Sequence, residues 1–379
     1  MKNSLGVATL LAATGISHQE SPPRRLSSVP VQASAQFMTV SGVRELKNGE
    51  LVVTDAKRPA IYRVDPKTGV ATMIGSVGAD SGQYVQPGGF YAGRGDTIFV
   101  LDRGQARVSL ISPAGAIVGI RSIRRLGVSG SSSADVDYQR VDSRGLAYFA
   151  ERGGRLLAKL GGTATDSIPL VRFDPLRQHG DTIALLRTRE QRIVSMDEHS
   201  QVTSAIVGSP EDTWVVTADG RVAIMRAAPY RVDWYAPNGG VVHGPVIATE
   251  AIPYTAAEKE AVNASSSASG GGSIGVVGTG AAGGGRAANT PTPRTFAPNK
   301  PPFEPNGEVI ASPDGRVWVS RNLPAGAAKT VYDVFDGKGE RVDRVELPAR
   351  NRVVGFGAGS IYTAERDERG TASLRKYKL

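Results

Sequence analysis

The sequence predicts an all-β fold, a six-bladed β-propeller that carries a disordered low-complexity insertion and a short helix. Short segments of alternating apolar residues are separated by Gly, Asp and Pro turns along most of the chain. One turn-and-strand signature recurs, with its apolar member at residues 51, 98, 146, 214, 317 and 361. Three of the intervals are 44 to 48 residues long, a period typical of propeller blades, and the other two contain insertions.

The clearest repeat lies between Gly93 and Val118, where a turn, a strand, a turn, a second strand, a turn and the start of a third strand follow one another. Ile98, Val100, Val108 and Leu110 stand at alternate positions in these segments. A period of two is the pattern of strands that bury at least one face. The segment therefore predicts one blade.

The composition of the 379 residues indicates a globular protein and excludes some chemistry. Hydrophobic residues make up 40%, which is enough for a core. There is no cysteine, so disulfides and thiol catalysis are excluded. The net charge is +9, but the basic residues are scattered and mostly lie near acids, so no nucleic-acid partner is expected.

The N-terminus predicts export. Leu5 to Ile16 is an apolar run that is too short to span a bilayer and resembles a signal-peptide core. We expect a signal peptide over 1–17, a disordered spacer over 18–36 and the propeller over 37–379, with a periplasmic or secreted location. A plain disordered N-terminus is the alternative. No transmembrane segment is expected.

The sequence pattern predicts how the ring closes and leaves the number of blades open. Phe37 to Val40 is the predicted strand that closes the ring across the first and last blades, because an open ring would leave unpaired edges. Gln191 to Met196 lies in the longer interval between the third and fourth repeats, so a seventh, degenerate blade is the alternative to six.

An insertion interrupts the repeats. Thr255 to Glu258 fits a capping box and predicts a helix from about Ala256 to Val262. Residues 264–305 are rich in Gly, Ser, Ala and Pro and lack apolar periodicity. That composition predicts a flexible segment within the propeller.

The stretch Thr97 to Val108 resembles an NHL-type repeat, in which an apolar strand, an Asp, a small loop, Asn or Gln, and Arg precede a second strand. Asp219-Gly220-Arg221 and Asp314-Gly315-Arg316 are similar to a hairpin common in six-bladed propellers. The region 37–379 thus resembles the six-bladed group that includes NHL and TolB-like domains, and especially its exported bacterial members. The resemblance implies the fold, but the group includes binding modules, lactonases and lyases.

Several motifs that suggest chemistry are better explained structurally. Gly278 to Gly283 spells a dinucleotide-binding fingerprint, but glycines and prolines follow where a helix is needed. Arg94-Gly95-Asp96 spells an adhesion tripeptide and is explained by its hairpin turn. Asp135 and Asp137 could contribute to a calcium site, although an acidic loop is commoner. The histidines do not stand at ligand spacing, so we expect no metal, cofactor or catalytic residue.

The candidate binding site is a mixed-charge ring on one face. Loops that join the second and third strands of propeller blades emerge together at one end of the central channel. The ring would contain Asp55, Lys57, Arg58, Asp102, Arg103, Glu151, Arg152, Arg321, Glu365 and Arg366. The alternative is that Asp102, Arg107 and their equivalents brace the loops, since structural ion pairs are commoner than sites. Trp214 and Trp318 are expected to pack in the core.

The leading functional hypothesis is an exported, non-catalytic propeller scaffold that binds an unknown protein or a polar small molecule as a monomer. The alternative is a divalent-cation-dependent hydrolase of the lactonase type. The hydrolase needs three or four Asp, Glu or Asn side chains that converge on the channel axis. Asn is sparse in the predicted strands, which argues against the hydrolase.

Overall fold

The computed structural model describes residues 22–93, 97–124, 140–151, 167–195, 201–268, 294–304, 309–367 and 369–379. Within them the chain forms mostly short antiparallel strands, together with a 3₁₀ turn and one α-helix. In the described part of the chain, no helix has the length and apolarity that a membrane span requires. The arrangement of sheets is propeller-like, as predicted.

Two N-terminal strands, β1 (Arg24–Arg25) and β2 (Ser28–Val31), precede the four strands of the first sheet. Those four are β3 (Val40–Glu45), β4 (Leu51–Asp55), β5 (Ala60–Val64) and β6 (Ala71–Met73). A small parallel pair, β7 (Ser76–Val77) and β8 (Gln83–Tyr84), connects this sheet to the next.

The second and third sheets are four-stranded antiparallel units that follow the chain order. They contain β9 (Pro87–Ala92), β10 (Ile98–Asp102), β11 (Arg107–Ile111) and β12 (Ile117–Ser122), then β13 (Arg140–Val141), β14 (Ala147–Ala150), β15 (Ser167–Asp174) and β16 (His179–Arg187). A separate two-stranded hairpin follows, formed by β17 (Gln191–Ser195) and β18 (Gln201–Ala205). The interval that left a seventh blade open therefore holds two paired strands in the part of the chain described.

The C-terminal half contains two further sheets, the helix and the last three strands. These elements are β19 (Thr213–Val216), β20 (Val222–Ala227), β21 (Tyr230–Tyr235), β22 (Val241–His243), α1 (Ala256–Ala268), β23 (Val309–Ala311), β24 (Val317–Ser320), β25 (Lys329–Phe335), β26 (Arg341–Pro348), β27 (Asn351–Gly357), β28 (Ser360–Arg366) and β29 (Ala372–Lys378). Gly220 and Gly315 have φ of 82° and 80° at the same point of the first hairpin in two sheets. Left-handed backbone explains why the hairpin carries glycine there.

The core lies between sheets, and both faces of the strands are buried. Along β10, Ile98 and Val100 pack against the first sheet, while Phe99 and Leu101 pack against the third. Similar clusters lie between the third and fourth sheets, between the fourth and fifth, and between the fifth sheet and the last strands. A further cluster joins the last strands back to the first sheet, so the stack of sheets is closed.

The two ends of the chain meet in one continuous sheet. Innermost strand β27 pairs in parallel with β3, through Gly355 opposite Val43, and this joins eight strands in the order β2-β29-β28-β27-β3-β4-β5-β6. Four other sheets of four or five strands stand separately. The count of six blades stays a prediction at this point.

The closing strand differs from the one predicted. Strand β2 pairs antiparallel with β29, from Ser28 opposite Tyr377 to Val31 opposite Leu374. Phe37 makes only an isolated bridge to Ala372, and Val40 already belongs to β3. The prediction failed because polar and proline-rich composition from residue 18 to 36 suggested a disordered spacer, whereas β1 and β2 lie within it. Strand β1 is also held at the edge of β26 by ion pairs from Arg24 to Asp343 and from Arg25 to Glu346.

The insertion is partly packed. The predicted capping box is present: the Thr255 N–H donates to Glu258 Oε2 at 2.9 Å, and the Glu258 N–H donates to Thr255 Oγ1 at 3.2 Å. The helix continues beyond Val262 to Ala268. Phe303 is only 1% exposed and belongs to the cluster between the fourth and fifth sheets. Residues 294–304 are therefore part of the packed domain and not of a flexible segment, because they supply an aromatic side chain to the core.

Candidate functional site

The innermost strands of the sheets surround a central channel with a volume of about 530 Å³. Around it, β3 contacts β9, β10 contacts β13, β13 contacts β19, β19 contacts β23, β23 contacts β27, and β27 pairs with β3. The wall is formed by residues 41–44, 89–91, 140–141, 215–218, 309–313 and 352–356, together with Arg103. A channel of this size can hold a small molecule.

Four arginines lie on the channel wall: Arg44, Arg103, Arg140 and Arg352. Arg44 and Arg140 occupy equivalent positions in β3 and β13, since each pairs with the second residue of the following strand. Arg103 lies in the 3₁₀ turn after β10, and Arg352 pairs with Ala364 near the end of β28. Arginine thus occurs toward both ends of the channel.

Two of these arginines are held against the wall by contacts of their own. Arg352 donates from Nη2 to the carbonyl oxygen of Val40. The guanidinium of Arg140 lies 5.9 Å from the ring centroid of Trp214, within the range of a cation–π contact. These contacts place both cationic groups on rigid strands, which reduces the entropy lost when a ligand is bound.

The rest of the described lining mixes aliphatic, aromatic and hydroxyl side chains. Ser41, Thr217 and Ser312 supply hydroxyl groups, and Phe90 and Tyr91 supply rings. No Asp or Glu occurs among the described residues that line the channel. The charged side chains among the described lining residues are those of the four arginines.

This donor set does not suit a divalent cation. Calcium and magnesium sites in proteins are built from carboxylate and carbonyl oxygens, whereas the charged side chains of the described lining are arginines. In the described part of the chain, no group of three or more His, Asp or Glu side chains is placed to share a metal ion. In the described lining, the carboxylate ligands that the metal-dependent hydrolase would use are absent.

The predicted ring residues Asp55 and Asp102 lie inside the protein. Both side chains are fully buried, at 0% exposure. Asp55 accepts hydrogen bonds from the backbone N–H groups of Met38 and Thr39, at 2.6 and 2.9 Å. Asp102 accepts equivalent bonds from Val85 and Gln86. Each carboxylate accepts backbone hydrogen bonds from the segment that enters its sheet, so its role is structural.

Arg107 completes this bracing in the second sheet. Its Nε donates to Asp102 Oδ2 at 3.2 Å, and its Nη1 and Nη2 donate to the carbonyl oxygens of Ala79 and Gln83. The Arg107 side chain is 9% exposed. The alternative given above, that Asp102 and Arg107 brace a loop, is confirmed.

Arg321 also forms an ion pair with a buried carboxylate. Its Nη1 donates to Asp333 Oδ2 at 2.6 Å, and the hydroxyl of Tyr230 donates to the same oxygen at 3.0 Å. Burial, and next the negative charge of Asp333, raise the pKa of Tyr230 well above its ordinary value. The fourth sheet repeats the pair, with Arg226 Nε at 2.9 Å from Asp233 Oδ2. Burial alone would raise the pKa of Asp233, but the hydrogen bonds from Arg226, His243 and Arg231 outweigh it and the pKa is lowered.

The other ring members that the structure describes differ in exposure and contacts. Lys57 and Arg58 are exposed. Arg366 donates to the carbonyl oxygen of Met38 at 3.0 Å, and Glu365 faces Arg375 at 3.6 Å. Arg152 lies outside the described residues, although Glu151 lies within them. Of the ten predicted ring residues, Arg103 is the one that lines the channel in the described structure.

Several sequence motifs cannot be placed. The signal peptide 1–17, Arg94-Gly95-Asp96, Asp135 with Asp137, and Gly278 to Gly283 lie outside the described residues. Trp214 and Trp318 are 5% and 3% exposed, so the prediction that they pack in the core is confirmed.

Solved structures that resemble this chain are β-propeller-like proteins. An exported protein from Bacteroides fragilis is 14% identical, with a TM-score of 0.48 over 93% of this chain and 94% of that one. Virginiamycin B lyase from Staphylococcus aureus is 10% identical, with a TM-score of 0.42 over 93% and 99%. A gluconolactonase is 10% identical, with a TM-score of 0.44 over 93% and 92%. No protein-family model and no curated protein sequence matches the chain.

Sequence reasoning missed Arg44, Arg140 and Arg352. It assigned binding to the loops, while these three residues stand on the innermost strands, where apolar alternation was expected. The signal was available, since an arginine in the first strand of a repeat departs from the apolar pattern of Val215 and Ile310 at the equivalent positions.

Proposed function

We propose that this chain is an exported six-bladed propeller that binds a small ligand in its central channel without catalysing a reaction. The observation that carries the proposal is the channel itself: it is roomy, it is lined by rigid strands and it presents converging polar groups. The loop ring is a weaker candidate, because its buried carboxylates are already used to hold the fold.

The blade count is supported by the way the sheets pack. Counting the eight-stranded sheet as two blades, joined where β27 meets β3, gives each blade four antiparallel strands, and β1 adds a fifth strand in parallel to the edge of the fifth blade. In this arrangement every blade shares a hydrophobic cluster with the next, including the last with the first. Closure of this kind suits a propeller because it leaves no blade face exposed to water.

Export is supported by the sequence. The apolar run from Leu5 to Ile16 follows a basic N-terminus and has the length of a signal-peptide core. The chain has no cysteine, so its folding does not depend on the redox state of the compartment.

The test blocks the channel without disturbing the core. Ala218 is an exposed turn residue on the channel wall, so Ala218→Trp places an indole at the mouth of the channel. Ala114 is an exposed residue of the turn between β11 and β12 and does not line the channel, so Ala114→Trp is the control for a tryptophan in an exposed turn. The measurement is the melting temperature with glucose, proline, phosphate, citrate or putrescine added separately.

We expect at least one compound to raise the melting temperature of the wild type and of Ala114→Trp, because a ligand that binds only the folded state stabilises it. The same compound should have little effect on Ala218→Trp. Equal stabilisation of all three proteins, or of none by any compound, would contradict binding in the channel.

A further inference from the structure

We propose that β1 is a releasable strap: ion pairs hold it on the edge of the fifth sheet, and it opens when the salt concentration rises while β2 stays paired. The strap is the segment 22–25, which consists of β1 and the two prolines before it. Its opening uncovers the outer edge of β26, where an unpaired strand presents free N–H and C=O groups. The strap does not line the central channel.

Ion pairs to two carboxylates of β26 hold the strap in place. Arg24 donates to Asp343 Oδ2 from Nη2 at 2.7 Å and from Nε at 3.2 Å. Arg25 donates from Nε to Glu346 Oε1 at 2.8 Å. The other oxygen of Glu346 accepts from Lys329 Nζ at 3.1 Å, which fixes the carboxylate that Arg25 meets. Both arginines of β1 thus have an acidic partner on the strand beside them.

The backbone of the strap adds little to these ion pairs. Strand β1 pairs with β26 in parallel through only two residues. Pro22 and Pro23 lack the N–H groups that a longer ladder would use. The side chains of Arg24 and Arg25 are 45% and 83% exposed. Because exposed ion pairs are weak and are screened by salt, the strap is held by contacts that added salt weakens.

Strand β2 is attached by a longer ladder and by apolar contacts. It pairs with β29 through four residues, from Ser28 to Val31. Val31 packs against the cluster that joins the last strands to the first sheet. Leu26, between the two strands, packs against the cluster between the fifth sheet and the last strands. Salt screens charges and not apolar contacts, so the opening of the strap should end at Leu26 and leave β2 in place.

Hydrogen exchange measured by mass spectrometry tests the strap in the full chain. The exchange rates of the amides of residues 24–26 and of residues 28–31 are followed in about 0.1 M and about 1 M sodium chloride, which shortens the Debye length from about 10 Å to about 3 Å. Each rate is compared with that of a synthetic peptide of residues 22–31 in the same salt, which removes the effect of salt on the exchange chemistry.

Two variants separate the ion pairs of the strap from other surface charges. The double variant Arg24→Gln/Arg25→Gln removes both ion pairs of β1. Arg375→Gln is the matched control, because it removes an arginine of β29 that faces Glu365 at 3.6 Å in another exposed ion pair. Melting temperatures check that both variants are folded.

We expect residues 24–26 of the wild type to exchange about threefold to tenfold faster in the higher salt, the effect of weakening two exposed ion pairs. Residues 28–31 should keep their rate. The double variant should show the faster rate at both salt concentrations, and Arg375→Gln should follow the wild type.

Three results would overturn the inference. Equal wild-type rates for residues 24–26 at both salt concentrations would mean that ion pairs do not hold β1. A rate equal to that of the synthetic peptide in the lower salt would mean that β1 is not closed. Faster exchange of residues 28–31 together with residues 24–26 would mean that β1 and β2 open as one unit.

Discussion

Gly355 and Val43 lie so close together that a Cβ atom at Gly355 would stand 1.8 Å from the carbonyl oxygen of Val43. The contact occurs where β27 and β3 run in parallel and join the last strands to the first sheet. The atom in the way belongs to the main chain, so it cannot move aside by a change of rotamer. The ring can close at this point only with glycine.

Gly355→Ala should lower the free energy of unfolding by about 1–3 kcal/mol, the usual cost of overpacking a well-packed interior. Urea denaturation measures the change. Gly119→Ala is the control, because Gly119 lies in β12 with nothing within 4 Å of the position of its Cβ. Two variants of equal stability would mean that β27 and β3 can separate without cost.

Removal of the closing strand should weaken the domain strongly. A chain that begins at Ala33 lacks β1 and β2 and exposes the edge of β29, whereas a chain that begins at Pro22 keeps both strands. Loss of the hydrogen bonds between β2 and β29 should cost about 2–5 kcal/mol, at roughly 1 kcal/mol for each bond. Thermal unfolding compares the two chains, and indistinguishable melting temperatures would show that β2 contributes no stability.

Asp102→Ala should be among the most destabilising substitutions of a polar residue. It leaves the buried Arg107 guanidinium without its carboxylate and two backbone N–H groups without acceptors. Breaking a buried pair in this way costs about 3–5 kcal/mol. Asp80, which is exposed, supplies the control Asp80→Ala with an expected change within about 0.5 kcal/mol. A small effect of Asp102→Ala in urea denaturation would count against the bracing role.

Asp233 should contribute to the loss of stability in acid. Arg226, Arg231 and His243 contact its carboxylate, and its pKa in the folded protein is lower than the ordinary value of 3.8. A depressed pKa stabilises the fold above the unfolded value, and this stabilisation disappears as the pH falls from 3.8 through the folded pKa.

The test of this linkage is the pH dependence of unfolding from neutral pH down to about pH 2.5. Asp233→Asn should be less stable than the wild type at neutral pH and should lose less stability in acid. Asp80→Asn should follow the wild-type profile. Parallel curves for the wild type and Asp233→Asn would show that another carboxylate controls acid unfolding.

The two parts of the insertion should respond differently to change. Phe303→Ala removes a fully buried ring from the cluster between the fourth and fifth sheets and should cost about 3–5 kcal/mol. Deletion of 269–293, which is rich in Gly, Ala and Ser, should leave the melting temperature nearly unchanged. A large loss on deletion would mean that this segment packs on the domain.

The sequence predicted the sheets better than the site, for a physical reason. Local structure leaves a mark in the sequence. The alternation of apolar residues around Ile98 and Val100 indicates a strand, and Gly220 and Gly315 indicate turns. The closing strand Ser28–Val31 is set by a partner more than 340 residues away, at Leu374 to Tyr377, and its own composition resembles a spacer. Arg44 and Arg140 line the same channel only because the sheets pack side by side, which no local pattern records.

The pairing of β2 with β29 also constrains when folding of the domain can be completed. Residues 28–31 are synthesised well before residues 374–377, so the sheet that they share stays incomplete until β29 has been made. Contacts of such high sequence separation form late and slowly. An interrupted chain would keep an open edge, which chaperones and proteases recognise as unfolded. The fold thus distinguishes chains that include β29 from chains that end before it.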